Sequence, residues 1–443
     1  MSNNENNEIR DSFTSKTGFI LACIGSAVGM GNIWLFPYRV GQFGGAAFLI
    51  PYIIFIVLLG YTGLMGEFAF GRMTQTGPIG SFKKALENRN KSWGGFLGII
   101  PVIGAFGIAV GYAVVVGWFL RFLGGFITGS AMSAADSGAY FGELASPFGS
   151  IIWHLLALIL VSIVLISGIS KGIETMNKIM MPAFYILFVI VMVRVFMLDG
   201  AFEGIKYLVV PKWSSLMEPK TWIYALGQAF FSLSLAGSGM IVYGSYLKRD
   251  VDIMSSAKNT VIFDTLGAFL AGLVIIPAVF AFNLDPASGP PLLFITIPSV
   301  FKLMPFGRLF GVIFFISVLF ASITSLMNLL EVPIEAVQST FKLKRKLSVF
   351  IVVGAAFIFG LFAEDGNNLG VLMDFVSIYI IPIGAFIAAV MFFWVIGIEK
   401  AKCEIECGTD KKLGKLFEIS AKYVFVFLTI FVFIAGILLG GIG

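Results

Sequence analysis

The chain has 443 residues, 58% of them hydrophobic and only 12% charged, with a formal net charge of +5 and a mean hydropathy of +0.95. A soluble domain carries about 25% charged residues, so a single water-exposed core is excluded and lipid is the solvent that suits this composition. Most of the basic residues fall in short loops, which points to membrane orientation and away from nucleic acid.

Residues 1–16 are polar and show no cleavable apolar leader. A membrane span needs roughly 20 mostly apolar residues. About eleven stretches qualify, at 17–41, 44–70, 96–128, 150–168, 177–198, 221–246, 256–282, 305–338, 347–363, 368–397 and 418–441. All are expected as helices, because the bilayer offers no partner for unpaired backbone groups. The expected organisation is a cytoplasmic tail at 1–16, a five-helix repeat at 17–200, a second at 201–397, and a cytoplasmic loop with the eleventh helix at 398–443. Cys23 lies in an apolar helix, and Cys403 and Cys407 lie in a charged loop; three cysteines make no disulfide framework. His154, the single histidine, sits in an apolar run and is expected to pack there neutral.

Lys and Arg mark alternate loops: Arg10 and Lys16; Lys83, Lys84, Arg89 and Lys91; Lys171 and Lys178; Lys248, Arg249 and Lys258; Lys342 to Lys346; Lys400 to Lys412. By the positive-inside rule these face the cytoplasm, so the N-terminus is cytoplasmic, in an inner or plasma membrane. The 199–220 loop, with Lys206, Lys212 and Lys220, fits the rule poorly.

Two spans are weakened in the middle. The first reads CIGSAVGMGNIWLFP, and the sixth reads FFSLSLAGSGMIVYG. Each glycine disfavours a helix interior by about 1 kcal/mol relative to alanine. Close packing through small residues would use such glycines, and so would an unwound binding segment. Matching positions in two halves, with polar residues at both, favour the second: an inverted repeat with its site at the interface.

The stretches GSAVGMGNIWLFP, GGAAFLIPY, GLMGEFAFGR, FFSLSL and ASITS resemble the neurotransmitter:sodium symporter family, in order and at family spacing. The likeness is to its eleven-span bacterial members, similar to the tyrosine/tryptophan and hydrophobic amino-acid transporters. It implies an all-α membrane protein, an inverted 5+5 helix repeat with broken first and sixth helices, and Na⁺-coupled amino-acid symport rather than enzymatic catalysis.

By that resemblance, one Na⁺ site uses the carbonyls of Gly25, Val28 and Ala321 with the hydroxyls of Thr324 and Ser325. A second uses the Ala27 carbonyl, Asn32, Ser232 and Asp264 of the seventh helix, where the family commonly has an asparagine. A buried carboxylate there would remove the need for chloride, so none is expected. Alternatively, Asp264 lies near the helix end in contact with water. The substrate carboxylate is expected at the amides of Met30 and Gly31 with Tyr112, and its amine at the carbonyls of Ala27, Phe231 and Ser232. Ile108, Phe231, Ser234, Gly237, Ser325 and Leu329 would line the side-chain pocket. Leucine-selective relatives carry an aromatic residue where Gly237 stands; its absence favours tyrosine or tryptophan, with aliphatic or broader hydrophobic amino acids as the alternative.

Glu67 is expected to accept amides freed by the sixth-helix break. The family's outer-gate arginine position holds Leu35, leaving Asp374 without its usual partner; Arg39, Gln228 or water are the candidates. On the inner side Arg10 and Tyr246 match the family, and Glu335 is the candidate partner of Arg10. The partners implied are an amino acid and the bilayer, with no nucleic acid, in a monomer or weak dimer. A channel would instead require a continuous polar pore.

Overall fold

Nearly every apolar stretch becomes a helix, because only a helix pairs its own backbone groups within lipid. The computed structural model describes residues 11–87, 89–235, 238–286 and 292–442; the expectations placed on Arg10 and Gly237 lie outside them. Among the described residues, eight helices are long and apolar enough to cross a membrane: Ala46–Thr74, Gly94–Thr128, Ile169–Phe196, Ile253–Ala281, Gly307–Phe341, Arg345–Phe362, Gly366–Glu406 and Lys415–Leu439. A ninth is the bent pair Lys16–Ala27 and Gly31–Gln42, whose halves meet at 51°.

The two remaining expected spans depart from a full-length helix. Ile151–Ile166 is apolar but has only 16 residues. The sixth is split into Pro219–Ser232 and Gly239–Ser245. The tenth helix also runs further than expected. Residues 398–406, expected as loop, continue it to Glu406, because Ala401 and Ile405 find a buried face.

The centre is built from the first, third, sixth and eighth spans. The eighth packs along the third and the fifth, the first against the seventh, and Gly239–Ser245 against the second. Small residues permit the closest of these crossings. A Cβ on Gly71 would stand 1.9 Å from the Ile241 carbonyl oxygen, so only glycine admits the sixth helix there. The outer spans turn Ile152, Ile163, Ile186, Phe350 and Phe427 outward, as a lipid-facing surface requires.

Both breaks have local causes. In the first span, Val28 adopts an extended conformation (φ −74°, ψ 99°) just after Ala27. In the sixth, Ser234 and Ser238 take left-handed φ values of 52° and 54°, which an L-residue helix cannot continue.

Candidate functional site: two helix breaks lined with oxygen

The first break frees carbonyls, and hydroxyls from two other spans meet one of them. Ser234 Oγ donates to the Ser26 carbonyl at 2.8 Å, and Ser325 Oγ donates to the same oxygen at 3.1 Å. On the far side of the break, the Met30 amide donates to Tyr112 Oη at 2.8 Å. Met30 and Tyr112, the groups expected at a substrate carboxylate, are thus adjacent. Gln228 Nε2 donates to the Gly31 carbonyl at 2.8 Å, tying the two broken spans together. A Cβ on Gly29 would fall 2.4 Å from Tyr112 Oη and 2.9 Å from Ser325 Oγ. Among the described residues, one on Gly31 would meet nothing nearer than the Ser232 backbone at 4.0 Å, which leaves space beside the first break.

Beside that space lies a buried polar cluster. Asn32 Nδ2 approaches Asp264 Oδ1 at 2.8 Å, the Asp264 carbonyl at 3.1 Å and Ser232 Oγ at 3.1 Å. Ser232 Oγ donates to Asp264 Oδ2 at 2.8 Å and accepts from the Tyr52 hydroxyl at 3.2 Å. Asp264 is fully buried within this cluster, which answers the alternative of a water-exposed helix end. Asn32 Oδ1 has no hydrogen-bond partner. An unpaired amide oxygen beside a buried carboxylate is a donor set of the kind hard cations take, so these residues fit a Na⁺ ion.

Of the other expected cation residues, Gly25, Ala321, Thr324 and Ser325 come together. Thr324 Oγ1 donates back to the carbonyls of Phe320 at 3.0 Å and Ala321 at 2.9 Å. This is the ordinary habit of a helical threonine, and it leaves the hydroxyl's lone pairs available to a cation. Where a Cβ on Gly25 would stand, Asn177 Oδ1 lies 1.9 Å away and Thr324 Cβ 2.8 Å away, so the first, fifth and eighth spans close on one point. Ile108 is buried, and Phe231 and Leu329 are half-buried. Glu67, buried in the second span, faces the backbone of Met240 and Ile241 just past the sixth-span break, while the Ile241 amide itself donates to the Ser238 carbonyl at 3.1 Å.

The model of the Sodium:neurotransmitter symporter family matches residues 10–132 and 141–439. The chain belongs to that family. It is a multi-pass, sodium-dependent membrane transporter, not an enzyme. It is 36% identical over 432 residues to the sodium-dependent transporter YhdH of Bacillus subtilis (strain 168), covering 94% of each chain. It is 33% identical to a sodium-dependent transporter of Methanocaldococcus jannaschii, covering 98% of this chain and 92% of the relative. Its fold is similar to the crystal structure of MhsT in complex with L-phenylalanine, with a TM-score of 0.87, 34% identity, and 96% of this chain and 99% of that chain covered.

Within this family member the outer-gate residues differ from the pair expected. Arg39 lies over the Tyr224 ring at 4.4 Å and donates to Gln42 Oε1 at 2.9 Å. Among the described residues it makes no ion pair, so the pairing of Arg39 with Asp374 does not form here. Aromatic faces on its own side of the chain hold the guanidinium instead. Gln228, the other candidate, is turned to the Gly31 carbonyl.

On the opposite face Tyr246 does take part in a charged cluster, through Glu331. Its hydroxyl donates to Glu331 Oε1 at 2.8 Å, and Arg345 grips the same carboxylate at 2.9 and 2.8 Å. Glu335 sits against Gly77, whose Cβ position is 1.9 Å from Glu335 Oε2. Glu331 and Arg345 escaped the sequence reading, yet a signal existed. Glu331 follows Thr324 by two helical turns and so shares its face. Tyr52 and Asn177 carried no such signal. His154 is buried as expected, but not alone: its Nδ1 lies 3.3 Å from Glu364 Oε1.

Proposed function

We propose that this transporter couples Na⁺ entry to uptake of an amino acid, with aromatic amino acids preferred, and does so without chloride. The observation that carries the reading is the buried Asn32–Ser232–Asp264 cluster beside the Met30 amide and Tyr112. Ala27, Asn32, Ser232 and Asp264 would hold one Na⁺; Gly25, Val28, Ala321, Thr324 and Ser325 would hold another. The half-helix beginning at Gly31 directs its positive end at the space beside it, which suits a carboxylate. The resemblance to MhsT bound to L-phenylalanine supports an amino-acid substrate with a ring.

Coupling follows from shared geometry. Asn32 belongs to the ion cluster, and the Met30 and Gly31 amides to the substrate cradle, within one short segment of backbone, and Ser232 joins the cluster from the sixth span. Filling the ion cluster therefore fixes the cradle. The two five-helix repeats, 17–200 and 201–397, would rock about this site in alternating access. With the N-terminus cytoplasmic, each net charge moved inward across 100 mV contributes about 2.3 kcal/mol. Asp264 supplies fixed negative charge where an anion would otherwise be needed, and it is available to take a proton when the empty carrier returns.

The test is equilibrium binding of phenylalanine, tyrosine, tryptophan and leucine to the purified chain in Na⁺ and in K⁺. Binding of the aromatic amino acids in Na⁺ alone is expected. Equal binding in K⁺ would sink the coupling, and a preference for leucine would sink the substrate class.

A further inference from the structure

Asn177, in the fifth span, has no part in the ligand sets above. It is fully buried, and its Nδ2 donates to the Ile173 carbonyl at 2.8 Å. That bond orients the amide, since the reverse orientation would set two oxygens against each other. Oδ1 therefore faces away from its own helix, toward the first span. Among the described residues it has no hydrogen-bond partner. It lies 1.9 Å from the point where a Cβ on Gly25 would stand, and Thr324 Cβ crowds the same point. Leaving a buried amide oxygen unpaired is unfavourable. Ser and Thr oxygens nearby do not relieve it: Thr324 Oγ1 donates to its own helix and Ser325 Oγ to the Ser26 carbonyl. A side-chain carbonyl of this type is a common ligand for a hard cation.

We propose that Asn177 Oδ1 is a further cation-facing oxygen of the site formed by Gly25, Val28, Ala321, Thr324 and Ser325, bringing the fifth span into ion binding. This rests on the reading of those five residues as a Na⁺ site. A neutral amide oxygen strengthens the field at the ion without adding charge. It also makes ion affinity depend on how closely the fifth span approaches Gly25.

The full chain, purified in detergent, is tested without substrate by the rise in melting temperature as Na⁺ replaces K⁺ at constant ionic strength. Asn177→Leu should raise the half-saturating Na⁺ concentration about tenfold. Asn177→Asp, which keeps an oxygen and loses the amide donor, should leave it near the wild-type value or below. The melting temperature in K⁺ alone reads folding, and Asn177→Ala replaces the leucine variant if that one fails to fold. A wild-type Na⁺ response in Asn177→Leu overturns the proposal. So does equal weakening in Asn177→Asp, which would assign the residue a packing role through Nδ2. Thr324→Val separates the levels. If it weakens the Na⁺ response while Asn177→Leu does not, only the role of Asn177 falls. If neither variant changes it, the site reading falls as well.

Discussion

A few single atoms decide what the centre of this transporter can hold. Gly29 is one case, because any Cβ there would press on Tyr112 Oη at 2.4 Å and Ser325 Oγ at 2.9 Å. Gly29→Ala should therefore push Tyr112 from the Met30 amide. Overpacking of this kind costs about 1–3 kcal/mol, enough to weaken substrate binding about tenfold or more, measured as a dissociation constant in Na⁺ buffer. Asp264 is the other case. Its two oxygens are held by Asn32 and Ser232, and no lysine or arginine pairs with it among the described residues. Asp264→Asn removes the fixed charge, so uptake by the variant should become responsive to chloride. Undiminished wild-type uptake when gluconate replaces chloride is the companion expectation. A chloride requirement in the wild type would refute both.

At the scale of elements, the sixth span depends on its neighbours to stay broken. Its second half is seated by Glu67, which faces the Met240 and Ile241 backbone, and by the absence of a side chain at Gly71. Glu67→Ala would leave the Met240 amide without the carboxylate it faces, at about 1–3 kcal/mol. Its melting temperature should fall, and Glu67→Gln, whose amide oxygen still accepts, should recover part of the loss. Gly71→Ala meets backbone, the Ile241 carbonyl, which cannot swing aside as a side-chain tip can. It should destabilise more than alanine does at an open position such as Gly354, where a Cβ would have nothing within 4 Å. Thermal melting of both variants in detergent checks the comparison. The same scale explains the cluster of Tyr246, Glu331 and Arg345, which joins the sixth, eighth and ninth spans through one carboxylate.

For the whole molecule, ion binding at the meeting point of several spans should act as a clamp. A ligand that binds only the folded state at 100 times its dissociation constant stabilises by about 2.7 kcal/mol. Saturating Na⁺ should accordingly raise the melting temperature relative to K⁺, and an amino-acid substrate should raise it further only when Na⁺ is present. Additive, independent shifts would argue against a shared site. Transport of Na⁺ with a zwitterion also moves net charge, so a membrane potential, inside negative, should accelerate uptake into proteoliposomes.

Much of this was legible in the sequence because its causes are local. Apolar length marks a span, and clustered glycines with serines mark a break; both are read along the chain without knowing what lies across it. Asn32 and Ser232 were picked out by the family resemblance, and Asp264 by being the polar residue of the seventh helix nearest the place where the family commonly has an asparagine. The tenth helix's extension past 397 was not legible, since buried contacts decide where a helix stops. Partner choice was least legible. Arg39 turned to Tyr224 and Gln42, Glu331 took Arg345, and Asn177 met Gly25, because hydrogen-bond partners are set by which helices cross and at what distance. The sequence by itself determined a helical membrane protein broken at two matched points. The tertiary structure alone decided which oxygens face one another there, since that depends on contacts between residues far apart in the chain.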